Sequence, residues 1–192
     1  ISFTISSLFF PVLIKLLHKW EIFDDPVHHK IHTDFKPSMG GICIMLGVVF
    51  TLLISFPFLE WVKLRYFFVG LAIIFITGLR DDILTLDPLR KLVGQILPIF
   101  IAVVFGKIML TSLYEIYPFT FPSWLSWIIT IFSIIILTNA YNLIDGIDGL
   151  AGAISLVIFL FFGIWFFVGG QYYSSILALS FAGAVMAFLI FN

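Results

Sequence analysis

The sequence predicts an all-α, polytopic membrane protein, a bundle of about seven transmembrane helices, and three observations predict it. Of its 192 residues 61% are hydrophobic and 11% charged, and the mean hydropathy is +1.17. A soluble domain has about 45–50% apolar and about 25% charged residues, so too little polar surface exists here to wrap a water-soluble globule. Next, the apolar residues fall into seven continuous runs, most of them near the ~20 residues a spanning helix needs. Finally, those runs lack the in/out alternation of a barrel strand.

Taken in order, Ile1–Leu17 is the first run, and Pro11 inside it is tolerated because neighbouring helices re-satisfy freed backbone groups. Gly40–Phe58 holds the lone Cys43, which has no disulfide partner or metal-ligand spacing and reads as a small apolar helix residue. Leu64–Leu79 is short and leads into Arg80-Asp81-Asp82. Leu92–Leu110, with Pro98 inside it, follows Asp87-Pro-Leu-Arg90-Lys91. Trp124–Ala140 runs into an asparagine-rich end, and Leu150–Val168 and Tyr172–Phe191 complete the set. The net charge of −1 gives no basic field for nucleic acid. No basic segment precedes the first run, as a cleavable signal peptide would require.

Seven spans leave alternate loops on opposite sides. Lys15, Lys19, Lys30, Lys36, Arg80, Arg90 and Lys91 then share one side, and Lys63, Arg65 and Lys107 the other. The positive-inside rule places the first group in the cytoplasm, with Trp61, Trp124, Trp127, Tyr172 and Tyr173 near the outer ends as an aromatic belt. Among the acids only Glu60 and Glu115 fall outside. Topology does not demand that bias, since acids contribute little to orientation. Carboxylates gathered at one face with lysines beside them point to a site for a divalent cation and phosphates.

Three clusters carry this chemistry. In the first, Asp81 and Asp82 project about 100° apart on a helix, so they serve two partners rather than clamp one ion, which suits a magnesium completed by phosphate oxygens. A solvated helix end is the competing reading. In the second, Asn139-Ala-Tyr-Asn142-Leu-Ile-Asp145-Gly146-Ile-Asp148-Gly149, a helix would put Asn142, Asp145 and Asp148 on one polar stripe. Each aspartate precedes a glycine, which suggests close approach to a ligand or a neighbouring helix, against a polar cap as the plainer reading. In the third, His28-His29-Lys30-Ile-His32 lacks the glutamate of a His-Glu-x-x-His zinc site. Anion-binding or structural histidines, with Lys30, Lys36 and Gly40-Gly41 near phosphate, fit it better.

At these residues the chain resembles the polyprenyl-phosphate N-acetylhexosamine-1-phosphate transferase family, from about Pro11 onward. The string Asn139 to Ala151 is the most specific part, and Asp81-Asp82 … Lys91 and Lys30-x-His32 … Gly41 add to it. Leu-Ile-Asp-Gly is similar to the branch that uses UDP-N-acetylhexosamine with undecaprenyl phosphate; the peptidoglycan branch, which transfers a phospho-muramoyl-pentapeptide, is the alternative. The resemblance implies a Mg²⁺-dependent enzyme (Mn²⁺ as substitute) of the bacterial inner membrane, its active site facing the cytoplasm, releasing UMP. Its partners would be UDP-N-acetylhexosamine, undecaprenyl phosphate and the bilayer, with a homodimer left open. Asp81, Asp82 and Lys91 would be catalytic. Lys30, His32, Asn142, Asp145, Gly146 and Asp148 would bind substrate, and Asp82 and Asp145 would touch the metal. Family members usually show Arg-Lys-x-His where this chain has His29-Lys30-Ile-His32, and carry a main magnesium ligand in a motif that would lie beyond Asn192. Residues 1–192 are therefore expected to be one catalytic domain truncated at both ends and inactive alone.

The rival from another class is an ion-coupled transporter, which would set acids near mid-bilayer and show an internal repeat. Here the acids cluster at one face, and no repeat is evident.

Overall fold

The computed structural model describes residues 1–20, 40–84, 87–113, 119–144 and 149–191. Its elements are α1 (Ser2–Trp20), α2 (Gly40–Ser55), α3 (Phe58–Leu84), α4 (Pro88–Phe100), α5 (Ser123–Ile144), α6 (Leu150–Val168) and α7 (Tyr172–Phe191). Each predicted run thus contains a helix, as a backbone in apolar surroundings must satisfy its own hydrogen bonds. Four of them, α3, α5, α6 and α7, are long and apolar enough to cross a membrane. α2 is apolar but shorter, and α1 ends in Lys15, His18 and Lys19. The expected fourth span is not one uniform helix: α4 passes into a π-helical turn, Ile101–Phe105, where Gly106 N–H reaches Ile101 O at 3.2 Å. Lys107 then takes a positive φ of 53°, ending the element. The run Leu92–Leu110 therefore misjudged both ends of this helix, since Pro88 starts it at the first helical position, where a missing N–H does no harm.

The chain forms two compact units. In the first, Ile1–Pro57 with Asp145–Asn192, α7 packs through small residues: Ser175, Ala178, Ser180, Ala182, Ala184 and Ala187 are all buried. Small side chains let apolar helices approach closely where no hydrophobic force separates them from lipid. Hydroxyls join neighbouring backbones: Ser2 Oγ donates to Ser180 O at 2.7 Å, Ser6 Oγ to Cys43 O at 3.0 Å and Ser175 Oγ to Gly163 O at 2.7 Å. Gly47 is required here, because a Cβ at that position would run into the Ser6 hydroxyl. Phe10, Cys43 and Ala187 form a buried cluster, with the Phe10 and Phe191 rings stacked at 5.3 Å.

The second unit, Phe58–Ile144, holds α3, α4 and α5. α4 lies close against α3, where a Cβ on Gly70 would sit 3.3 Å from Pro98 O and one on Gly94 would strike Thr77. The segment after the π-helical turn is tied to α5 by Leu110 N–H donating to Thr130 Oγ1 at 2.9 Å. An isolated antiparallel bridge, Ser112 to Thr120, brings the chain back toward α5.

Candidate functional site

The site is built within the second unit, and α4 organises it. Lys91 and Gln95 lie one turn apart, so they share a face of α4. Lys91 reaches α3, where its Nζ pairs with Asp81 Oδ2 at 2.7 Å. Gln95 reaches α5, where its Oε1 accepts from Asn139 Nδ2 at 3.3 Å. One helix face therefore holds both Asp81 of the carboxylate doublet and Asn139 at the start of the asparagine-rich motif.

Asp81 and Lys91 are partly shielded, with side chains 23% and 37% exposed. α3 stays helical through Leu84, so the adjacent aspartates diverge as expected: Asp81 turns toward α4, while Asp82 is exposed. The doublet is thus split between a lysine and an accessible carboxylate. At the head of α4, Asp87 makes no side-chain capping bond and approaches Arg90 Nε at 3.7 Å, both groups well exposed.

Asn139 is fixed twice, since its Nδ2 also donates to Ile135 O at 2.8 Å. Asn142 lies one turn further along α5, exposed. Gln95, only 6% exposed, was not foreseen as a site residue. Its signal was available: it is the single amide in the run Leu92–Leu110, and such residues in membrane helices usually face a partner helix.

Asp81 and Lys91 are therefore brought together, and Asp82 sits beside them. The predictions for Lys30, His32, Asp145, Gly146 and Asp148 lie outside the described residues. Gly149, next to them, has a φ of 71° and starts α6, a conformation that only glycine adopts without strain. Among the described residues no group of three or more His, Cys, Asp or Glu side chains could hold a metal. A magnesium ion does not need such a group, because it takes one or two protein carboxylates and keeps phosphate oxygens and water as its other ligands. The exposed Asp82 beside a lysine-neutralised Asp81 fits that requirement.

Residues 64–192 match the model of glycosyl transferase family 4. A 72-residue stretch is 33% identical to a protein of Bacillus subtilis (strain 168) named probable undecaprenyl-phosphate N-acetylglucosaminyl 1-phosphate transferase. That match covers 38% of this chain and 20% of the relative. No solved structure matches the chain.

Proposed function

Because the chain belongs to glycosyl transferase family 4, we propose that the native protein moves N-acetylhexosamine 1-phosphate from a UDP-sugar to undecaprenyl phosphate, releasing UMP. The name of the Bacillus subtilis relative supports the acceptor and the class of sugar. The observation that carries the reading is the α4 face that joins Asp81 to Lys91 and Asn139 to Gln95.

The chemistry follows from charge. A phosphate monoester has its second pKa near ~6, so the lipid acceptor is mostly a dianion at neutral pH. It needs little help from a base. An oxygen of that dianion bonds to the phosphorus bearing the sugar, and the bond from that phosphorus to the UMP oxygen breaks, its electron pair leaving with UMP. The obstacle is repulsion between a dianion and a diphosphate, which positioned cations must offset. Lys91 supplies one such charge. Its ammonium has three donors, so it can keep Asp81 and still reach a phosphate oxygen. Asp81 in turn holds the amine in place. Asp82, Asp145 and phosphate oxygens would hold a magnesium ion, which supplies further neutralisation of the diphosphate. Asn142 and Asp148 would bind the nucleotide sugar, with Gly146 allowing close approach. Lys30 and His32 would face phosphate, and the whole site would open to the cytoplasm.

The test is UMP release by the native-length protein in detergent, with undecaprenyl phosphate, Mg²⁺ and a panel of UDP-sugars. Release that requires both the lipid and the metal is expected, and the best donor identifies the sugar. Folded protein that releases UMP from no donor would overturn the reading.

A further inference from the structure

Beside the reacting groups proposed above, α3 and α4 border a second feature of different character, an open groove whose lining residues Ile76, Leu89 and Val93 are exposed. It is a cleft of about 570 Å³, lined by Arg80, Arg90, Ile76, Leu89, Val93 and Thr77. That size lies within the ~300–1,000 Å³ of small-molecule sites. Two arginines and no carboxylate are among the lining residues, and the nearby Asp87 approaches Arg90 Nε at 3.7 Å with both groups well exposed. Asp81, Asp82 and Lys91 are not part of the lining, so an occupant would sit apart from the acids of the transferase site.

The cleft is graded along the membrane normal. α3 has 27 residues, so at ~1.5 Å per residue it is about 40 Å long, against a hydrocarbon core of about 30 Å. Arg80, near its C-terminal end, therefore reaches the headgroup layer. Ile76 is one turn deeper on α3 and Val93 one turn deeper on α4. The first turn of α4 adds to the positive end: Asp87 gives no side-chain cap, and the backbone N–H groups of Leu89 and Arg90 belong to the orphan donors of a helix start. Cations at headgroup level above an apolar wall complement a phosphate on an apolar chain.

We propose that this cleft binds the phosphodiester headgroup of an anionic glycerophospholipid of the surrounding bilayer, as a site distinct from the acceptor's. Arginine forks match phosphate oxygens bidentately, and basic pockets between membrane helices take anionic headgroups. A polyprenyl monophosphate is the less fitting occupant, because the acceptor must reach Asp82 and the Asp81–Lys91 pair, none of which lines the cleft.

The test uses delipidated native-length protein in neutral detergent, titrated with phosphatidylglycerol, phosphatidylcholine or polyprenyl phosphate, and lipid retention is counted by native mass spectrometry. Phosphatidylglycerol should bind selectively. Each arginine near an anionic headgroup is worth about fivefold, so R80Q/R90Q should weaken phosphatidylglycerol about thirtyfold. Lys63→Gln with Arg65→Gln, at the other end of α3, should change nothing. Val93→Trp, which keeps both arginines but fills the apolar wall, should also displace the lipid, and unchanged helicity and melting would confirm both folds. Equal binding by R80Q/R90Q, equal binding of phosphatidylcholine, or displacement of phosphatidylglycerol by one equivalent of polyprenyl phosphate would each overturn the proposal. UMP release is a separate readout, so loss of this site and loss of the transferase reading are distinguishable.

Discussion

Lys91 carries two duties in the proposed reaction, neutralising incoming phosphate and holding Asp81, and substitutions separate them. Lys91→Gln keeps a polar chain of similar reach but removes the charge. It should lower UMP release about a hundredfold, the scale seen when one transition-state donor is lost. Lys91→Arg should recover part of that, because charge is restored while the geometry at Asp81 changes. Equal rates for Lys91→Gln and the parent protein would exclude the lysine from the chemistry. The structural worth of the pair is a different quantity. Both side chains keep solvent access, so a double-mutant cycle over Asp81→Asn and Lys91→Gln, read by unfolding in detergent, should give a coupling of about 0.2–1 kcal/mol. At this scale the divergence of Asp81 and Asp82 was legible in the sequence, since a helix fixes the angle between adjacent side chains. The sequence did not disclose that Lys91 spans to α3, because a partner ten residues away on another helix depends on how the two helices pack.

Contact between α3 and α4 rests on the absence of a side chain at Gly94, where any Cβ would strike Thr77. Gly94→Val should destabilise the second unit by about 1–3 kcal/mol, the usual penalty of overpacking. Adding Thr77→Ala should return much of that stability, as the threonine hydroxyl is spent on Ile73 O of its own helix. No recovery in the double variant would mean that Gly94 matters for some other reason. The joint between α4 and α5 is polar instead. Gln95→Leu should cost only about 0.6 kcal/mol, the average for hydrogen bonds between membrane helices. It should also lower turnover, because it removes the tie from α4 to Asn139 beside the motif and leaves that amide only its bond to Ile135 O. The helices themselves were legible as apolar runs. The π-helical turn at Ile101–Phe105 was not, for its composition is that of the helix it interrupts.

Orientation belongs to the whole molecule, and the uneven placement of cations predicts it. Basic residues gather at the C-terminal end of α3 and the start of α4, and this excess should keep that end in the cytoplasm. The segment between the π-helical turn and α5 should then face outward. A single native cysteine makes this easy to test: Cys43 is buried in α2 and should label poorly. Cysteines introduced at Asp87, the exposed N-cap residue of α4, and at Leu113, 51% exposed, provide the two reporters. In intact cells a membrane-impermeant maleimide should modify Leu113→Cys and spare Asp87→Cys, which should react only after permeabilisation. The opposite pattern would place Asp81, Asp82 and Lys91 outside the cell. A nucleotide-sugar donor made in the cytoplasm could not then reach them, so inverted labelling would count against the transferase reading as well as the topology. Labelling at both positions before permeabilisation would show that α4 and its π-helical turn do not cross the bilayer together. An interrupted element of that kind needs neighbouring helices to satisfy its backbone, and α3 and α5 are the helices packed beside it.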